Sequence, residues 1–361
     1  MRREDSLLEK IVKSSSSPWM DGSGTMSDVV ISSRVRLARN LRDVEFPHRM
    51  DEKSSNAVME KVFRAVSDVN ARKAVSELTC IDLRDVSPLD RQVLVEKHLM
   101  SPQHAQSLPG RGLVTRPDER VSIMVNEEDH IRLQCLYSGL ELDEAYITAN
   151  GMDDLLDERL DFAYDDRSGF LTACPTNVGT GLRASVMVHL PALAIGDEVS
   201  RVLSAVNKVG LVIRGLYGEG TEGQGNVYQV SNQITLGQTE KEILENLSLI
   251  AKQVVAEEKR YRETLMKSRR SALEDRIFRA WGILSNARTM SSGEAVKLWS
   301  DVRLGVELEL IDGLSVTHVN EILVISQPNF VMRAHGRTMS PEERDIARAE
   351  LVRRHLATMK P

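Results

Sequence analysis

The chain has no run approaching the roughly 20 consecutive apolar residues that a membrane span requires. Its N-terminus, MRREDSLLEKIVKSSSSPW, lacks the apolar stretch of a secretory signal. An excess of positive charge is also missing. Lys and Arg total 47 against 53 Asp and Glu, a net −6, so the surface as a whole is not built for nucleic acid or an anionic membrane. A local basic site stays open. Only three cysteines occur, Cys80, Cys135 and Cys174, far apart and without a CxxC pair. That excludes a disulfide scaffold and suits a reducing cytosol. No internal repeat is visible, and no low-complexity segment beyond the serines at 14–17. A soluble cytoplasmic protein is expected, and 361 residues favour two domains, or one with an appendage.

The usual phosphate-binding devices are absent as well. There is no GxxxxGK[ST]. Gly218, Gly220 and Gly223 form a literal GxGxxG, but NVYQVSN follows and reads as a strand, where a dinucleotide fold needs a helix. A protein-kinase glycine loop does lie between strands, yet no VAIK-like strand, HRD or DFG accompanies it. Alone, this loop reads as a surface hairpin. If the chain handles a nucleotide, arginines must replace the usual devices. No His/Cys cluster lies near its acidic runs at transition-metal spacing.

What is present divides in two. The segments DVVISSRVRLA, VSIMVN, HIRLQCL, LVIRGLY and NVYQVSN read as strands, with helical stretches such as Ser54 to Asn70 and Asp153 to Asp161 between them. Single-helix crossovers do not separate most of these strands, so an α+β domain with an antiparallel or mixed sheet is expected. Beyond Gly237 the pattern turns helical. Thr239 with Glu242 is a capping box, and Ser340-Pro341-Glu342-Glu343 opens the last helix in the same way. The expected organisation is an N-terminal helix and linker (1–27), a mixed domain (28–254) and an all-α C-terminal domain (255–361).

Arg34 and Arg36 are two apart, so in a strand both face one side. They are either an ordinary polar edge or a fork for phosphate oxygens. In NEEDHIRLQCL, an extended chain places Glu128, His130, Arg132 and Gln134 on one face and Ile131, Leu133 and Cys135 on the other. The acids Glu127, Glu128 and Asp129 are either a solvated turn or a seat for a cation. Cys174 by itself suits a small buried hydrophobe.

Taken together, CPTNVGT (Cys174 to Thr180), NEEDHIR, SSRVR, RASV and RGLYGEG resemble the phosphagen (guanidino) kinase family, in that family's order. The resemblance implies an antiparallel sheet flanked by helices and ATP-dependent phosphorylation of a guanidinium nitrogen. It assigns Arg34, Arg36, Arg132, Arg183 and Arg214 to the nucleotide phosphates. With them it places Ser32, Ser33, Val35, His98, Ala184, Ser185, Val186, Met187, Gly215, Leu216, Tyr217 and Gly218 at the ATP site. Glu128 and Glu219 resemble the carboxylates that hold the guanidinium, with Glu222 the alternative to Glu219, and Cys174 the thiol beside the reacting nitrogen. Mg²⁺ is implied through ATP and water, with Glu127 the nearest protein group and no direct ligand expected.

Two departures refine this. About thirty residues precede the arginine strand, where small-guanidine kinases carry a helical domain, and the C-terminal helices have no counterpart in those enzymes. The arrangement resembles the bacterial protein-arginine kinases. That implies protein substrates, a homodimer, a stress-response role, and as partners a heat-shock repressor, an activator protein and a Clp-type unfoldase–protease. In RDIARA, Arg344, Asp345 and Arg348 resemble a phospho-arginine-sensing motif, beside an apolar stripe of Ile346, Ala349, Val352 and Leu356. A kinase for free arginine and a non-catalytic phospho-arginine adaptor are the alternatives.

Overall fold

Alternation in VISSRVRLAR builds β1 (Val30–Arg39), an interior strand of an eight-stranded sheet. The structure is a computed structural model, describing residues 6–72, 77–106, 109–215 and 223–358. The other strands are β2 (Thr79–Asp82), β3 (Gly112–Thr115), β4 (Val121–Val125), β5 (Ile131–Ser138), β8 (Leu182–His189), β9 (Leu211–Gly215) and β10 (Val227–Asn232). Between β5 and β8, β6 (Tyr164–Asp165) and β7 (Gly169–Phe170) make a separate small ladder. The sheet order is β2-β3-β4-β5-β1-β8-β10-β9, and every neighbouring pair is antiparallel. The expected α+β class holds.

Helices α1 (Leu7–Lys13), α2 (Glu52–Ala71), α3 (Pro88–Glu96), α4 (Leu142–Asp157), α5 (Pro191–Ile195), α6 (Val199–Lys208) and α7 (Glu240–Ser268) accompany the sheet. The C-terminal set is α8 (Arg270–Asn286), α9 (Ser292–Glu307), α10 (Val316–Ile325), α11 (Pro328–His335) and α12 (Pro341–Ala357). Both expected capping boxes, at Thr239 and Ser340, form.

The sheet has two different faces. Val35, Leu37, Leu133, Cys135, Ala184, Val186 and Val230 form one core with Val58, Val62, Ala145, Ala149, Leu247 and Ala251 of α2, α4 and α7. Each valine or leucine among them contributes about 1.5–3 kcal/mol when fully buried. On the opposite face, Met124, Leu136 and Met187 join a second core with Trp19, Leu99, Trp299 and Val302. The C-terminal helices therefore pack onto one end of the arginine-bearing face.

Three expectations change. The helix expected over Asp153–Asp161 is α4, starting at Leu142 because Leu142, Ala145, Ala149, Met152 and Leu156 supply its buried stripe across Gly151. The expected boundary at 254/255 falls inside the uninterrupted α7, and the helical run breaks at Arg269. The expected N-terminal linker is built into the core. Trp19 and Met20 are buried, Trp19 Nε1 donates to the Lys97 carbonyl, and Ser17 Oγ donates to Glu119.

Candidate active site

Strand register gathers the arginines. Arg36 stands opposite Gln134 of β5 and Arg183 of β8. Arg34 stands opposite Ser185, and Arg132 opposite Ala38. On the outer strands, Met187 faces Gln229, which in turn faces Arg214. Cross-strand partners share a face, so Arg34, Arg36, Arg132, Arg183 and Arg214 all lie on one side of the sheet. Ser185 and Met187 lie there too, and Ser32 pairs with Met187. The side chains of Ser33, Val35, Ala184 and Val186 point the other way, the apolar three into the core. Ser33 Oγ is spent on the Gly139 carbonyl, 2.8 Å, and on the Glu141 amide, 3.0 Å.

This cluster is under electrostatic strain. Burial, then the charges of Arg132 and Arg183, push Arg34 down to about 10. Arg36 is driven well below its ordinary value by burial and by Arg34, Arg132 and Arg183. Arg34 reaches Gln229 Oε1 at 2.8 Å, whereas Arg36 Nε has no hydrogen-bond partner among the described residues. Arg183 falls through burial and the charges of Arg214 and Arg132, opposed by Cys174 and Glu128. Like charges held this close are relieved by a polyanion seated among them. Arg34, Arg36, Arg132 and Gln134 line a cavity of about 380 Å³ with His98, Glu96 and Gln327. His98 is edge-on to Trp19 at 5.0 Å, and burial, then Arg34, lower it to about 4.

The acids occupy the β4–β5 connection. Strand β5 begins at Ile131, so residues 126–130 form a turn rather than an extension of the strand. His130, expected beside Arg132, is buried. Its Nδ1 accepts from the Leu41 amide at 3.0 Å and its Nε2 lies 2.8 Å from the Glu45 carbonyl. Glu127 pairs with Arg132 and accepts from Ser101 Oγ at 2.6 Å. Burial acts to raise Glu127, but Arg132 and these hydrogen bonds outweigh it and hold the carboxyl low. Glu128 Oε2 is 3.7 Å from Arg132, and burial, against that arginine, raises its carboxyl. Glu127, Glu128 and Ala173 line a second cavity of about 580 Å³. The Glu127–Arg132 pair thus stands between a cationic pocket and an acid-edged one.

Cys174 opens a short 3₁₀ turn, Pro175–Asn177, with Sγ 3.1 Å from Thr176 Oγ1. The loop beyond it approaches backbone closely. Gly179 has φ 110°, and a Cβ there would lie 2.6 Å from the Thr235 carbonyl; Gly181 has φ 64°, its Cβ 2.6 Å from the Ala38 carbonyl. Only glycine meets both conditions without displacement. Gly215 ends β9. Leu216, Tyr217, Gly218, Glu219 and Glu222 lie outside the described residues.

In α12, Arg348 is buried and committed. It donates to the carbonyls of Ser326, 2.6 Å, and Met290, 2.7 Å, and to Asp345, 2.5 Å. Arg344 is half-buried, and its Nε has no partner among the described residues. Of the expected apolar stripe, Ala349, Val352 and Leu356 are buried while Ile346 is exposed.

Sequence reasoning passed over Asn40 and read Asp129 only as one of three acids in a turn or cation seat; the fold places the two against each other and against the Cys174 loop. The one available signal was a polar asparagine directly after the strand VISSRVRLAR.

The model of the ATP:guanido phosphotransferase C-terminal catalytic domain matches residues 57–261, and that of the protein-arginine kinase McsB C-terminal domain matches residues 270–361. The chain is 49% identical over 352 residues to a protein-arginine kinase of Pelotomaculum thermopropionicum, covering 98% of this chain and 99% of that protein. It is 52% identical over 341 residues to one from Moorella thermoacetica (94% and 97% covered) and 44% over 349 residues to one from Bacillus subtilis (97% and 96%). Among solved structures, lombricine kinase superposes with a TM-score of 0.57 at 23% identity, over 71% of this chain and 76% of that one. The substrate-free duplicated taurocyamine kinase of Schistosoma mansoni gives 0.57 at 23%, over 90% and 51%. At these identities the solved structures speak to the fold alone.

Proposed function

The chain belongs to the protein-arginine kinases, enzymes with a phosphagen-kinase catalytic domain that take phosphate from ATP, and on that premise we propose which of its residues carry the reaction. The observation that supports the assignment is the crowding of Arg34, Arg36, Arg132 and Arg183 beside the raised carboxyl of Glu128. ATP phosphates would sit among the arginines, which exchange mutual repulsion for bidentate contacts. A substrate arginine would enter from the acid-edged cavity with its guanidinium against Glu128 and Cys174. Its nitrogen attacks the γ-phosphorus, an N–P bond forms, and the P–O bond to ADP breaks with its electron pair leaving on ADP. The nitrogen's proton passes to Glu128. Cys174 orients the guanidinium, and Glu219, or Glu222 in its place, would be the second carboxylate. In-line positioning and charge neutralisation supply most of the catalysis.

Among the described residues no group of three or more His, Cys, Asp or Glu gathers as a metal cage. Mg²⁺ held by phosphate oxygens and water needs none. Glu127, the nearest group expected from the sequence, is buried against Arg132 and Ser101, so the more exposed Glu128 would be the carboxylate to meet those waters, and the ion would neutralise phosphate charge.

Incubation with ATP, Mg²⁺ and an arginine-rich protein is expected to give acid-labile phosphate that mass spectrometry maps to arginine. Phosphate on Ser, Thr or Tyr alone, or on free arginine and never on protein, overturns the reading. Glu128 is also expected to titrate above the ordinary glutamate value of about 4.3, because burial favours its protonated form. As pH falls through that raised midpoint the base is lost earlier than an exposed glutamate would be. A ¹³C titration of the nucleotide-free protein checks this, and a midpoint at or below the ordinary value removes the argument for Glu128 as base.

The same reading gives the C-terminal helices phospho-arginine sensing through Arg344 and Asp345, with Arg348 tying α12 to the Ser326 and Met290 carbonyls and to the Asp345 carboxylate. It gives them dimerisation as well, for which Phe278, Ile283 and Ile346 are exposed apolar side chains on α8 and α12. A role in stress response, with a heat-shock repressor, an activator protein and a Clp-type unfoldase–protease as partners, belongs to this proposal. So does a cytoplasmic location, which three free, separated cysteines support. Among the described residues no helix is long and apolar enough to cross a membrane.

A further inference from the structure

The acceptor site is assembled from two pieces that no regular element joins. Glu128 belongs to the β4–β5 turn, and Cys174 to the loop entering β8. One buried set of hydrogen bonds links them. Asp129 Oδ1 accepts from the Ala173 amide at 2.7 Å and from Asn40 Nδ2 at 2.7 Å. Asn40 Nδ2 also donates to the Leu171 carbonyl at 3.0 Å, and Asn40 Oδ1 accepts from the His130 amide at 2.9 Å. Asn40 and Asp129 are each 1% exposed. Between them they fix the residue after Glu128, the residue before Cys174, and the end of the arginine strand. Within the same loop, Thr172 Oγ1 donates to the Cys174 carbonyl at 2.8 Å.

We propose that Asn40 and Asp129 are positioning residues, a brace that sets Glu128 against Cys174 and so defines the seat of the acceptor guanidinium. This rests on the roles proposed above for Glu128 and Cys174. A second carboxylate one residue from Glu128 could instead act by charge, as part of the guanidinium's counter-ion. The geometry argues against that. The oxygen shared by Ala173 and Asn40 points into protein, and Asp129 is almost without exposed surface. Its function is to accept two hydrogen bonds, which a neutral amide oxygen can also do.

The test uses the full-length protein with ATP, Mg²⁺ and an arginine-rich acceptor protein, comparing Asp129→Asn, Asp129→Ala and Asn40→Ala. Expected are a tenfold or greater loss of kcat/KM for the acceptor in Asp129→Ala and Asn40→Ala, and retention within about threefold in Asp129→Asn, which keeps an accepting oxygen. Nucleotide affinity, read by ATP-induced thermal shift, should stay near wild type in all three, because the arginines are held by the sheet. Equal losses in Asp129→Asn and Asp129→Ala assign a charge role and overturn the brace, as does full activity in Asn40→Ala. If Asp129→Ala does not fold, Asn40→Ala against Asp129→Asn decides alone. Glu128→Ala run in parallel separates the two ideas. Activity surviving there sinks the acceptor-site reading itself, whereas its loss beside unaffected brace variants sinks only the brace.

Discussion

Glu128→Gln is expected to lower kcat for protein phosphorylation by about 10²–10⁴-fold, the range for removing a positioned general base. The substitution keeps size and hydrogen-bonding capacity while removing the proton acceptor and its charge. Affinity for ATP should change little, because Arg132 keeps its closer partner, Glu127, when the 3.7 Å contact to Glu128 is weakened. Steady-state kinetics with both substrates varied separates the outcomes. A rise in the KM for ATP with unchanged kcat would place Glu128 in nucleotide binding instead.

Arg36→Leu is expected to act in opposite directions on function and stability. Arg36 keeps some surface toward the cavity, yet its Nε has no partner among the described residues and three other arginines depress its basicity. Without ATP its charge is opposed by burial and by those arginines, with only Glu127 acting the other way. Leucine removes that charge and should stabilise the nucleotide-free protein by about 1–2 kcal/mol, at the low end for replacing buried charged groups because the cavity is open. With ATP, on the proposed assignment, the same residue would supply phosphate contacts, so kcat/KM should fall by about 10²–10³-fold. The thermal shift that ATP gives the wild type should shrink or vanish. A variant that is less stable without ATP, or that keeps its full ATP shift, would show Arg36 to be an ordinary structural arginine.

These two residues also show how unevenly the site could be read in advance. That Arg34 and Arg36 share a face follows from the two-residue period of a strand, and the structure agrees. That Arg183 and Gln134 flank Arg36 follows from the order β5-β1-β8, which no local pattern specifies. The same local logic failed at His130, whose position in a turn, with its ring spent on Leu41 and Glu45, takes it out of the strand's alternation. Arg348 was legible as one residue of a motif. Its burial against the Ser326 and Met290 carbonyls depends on where α12 docks.

By itself the sequence determined the chemistry available and the local geometry that carries it. Helix caps at Thr239 and Ser340, paired arginines on β1, adjacent acids before β5 and glycines after Cys174 are short-range features, fixed by backbone stereochemistry within a few residues. Only the tertiary structure decided which of these meet. Strand pairing and helix docking join residues far apart in the chain, and their energies come from burying whole faces rather than from any one side chain. That burial brought four arginines together against their own repulsion, and it left Asn40 and Asp129 to join the β4–β5 turn to the loop before Cys174.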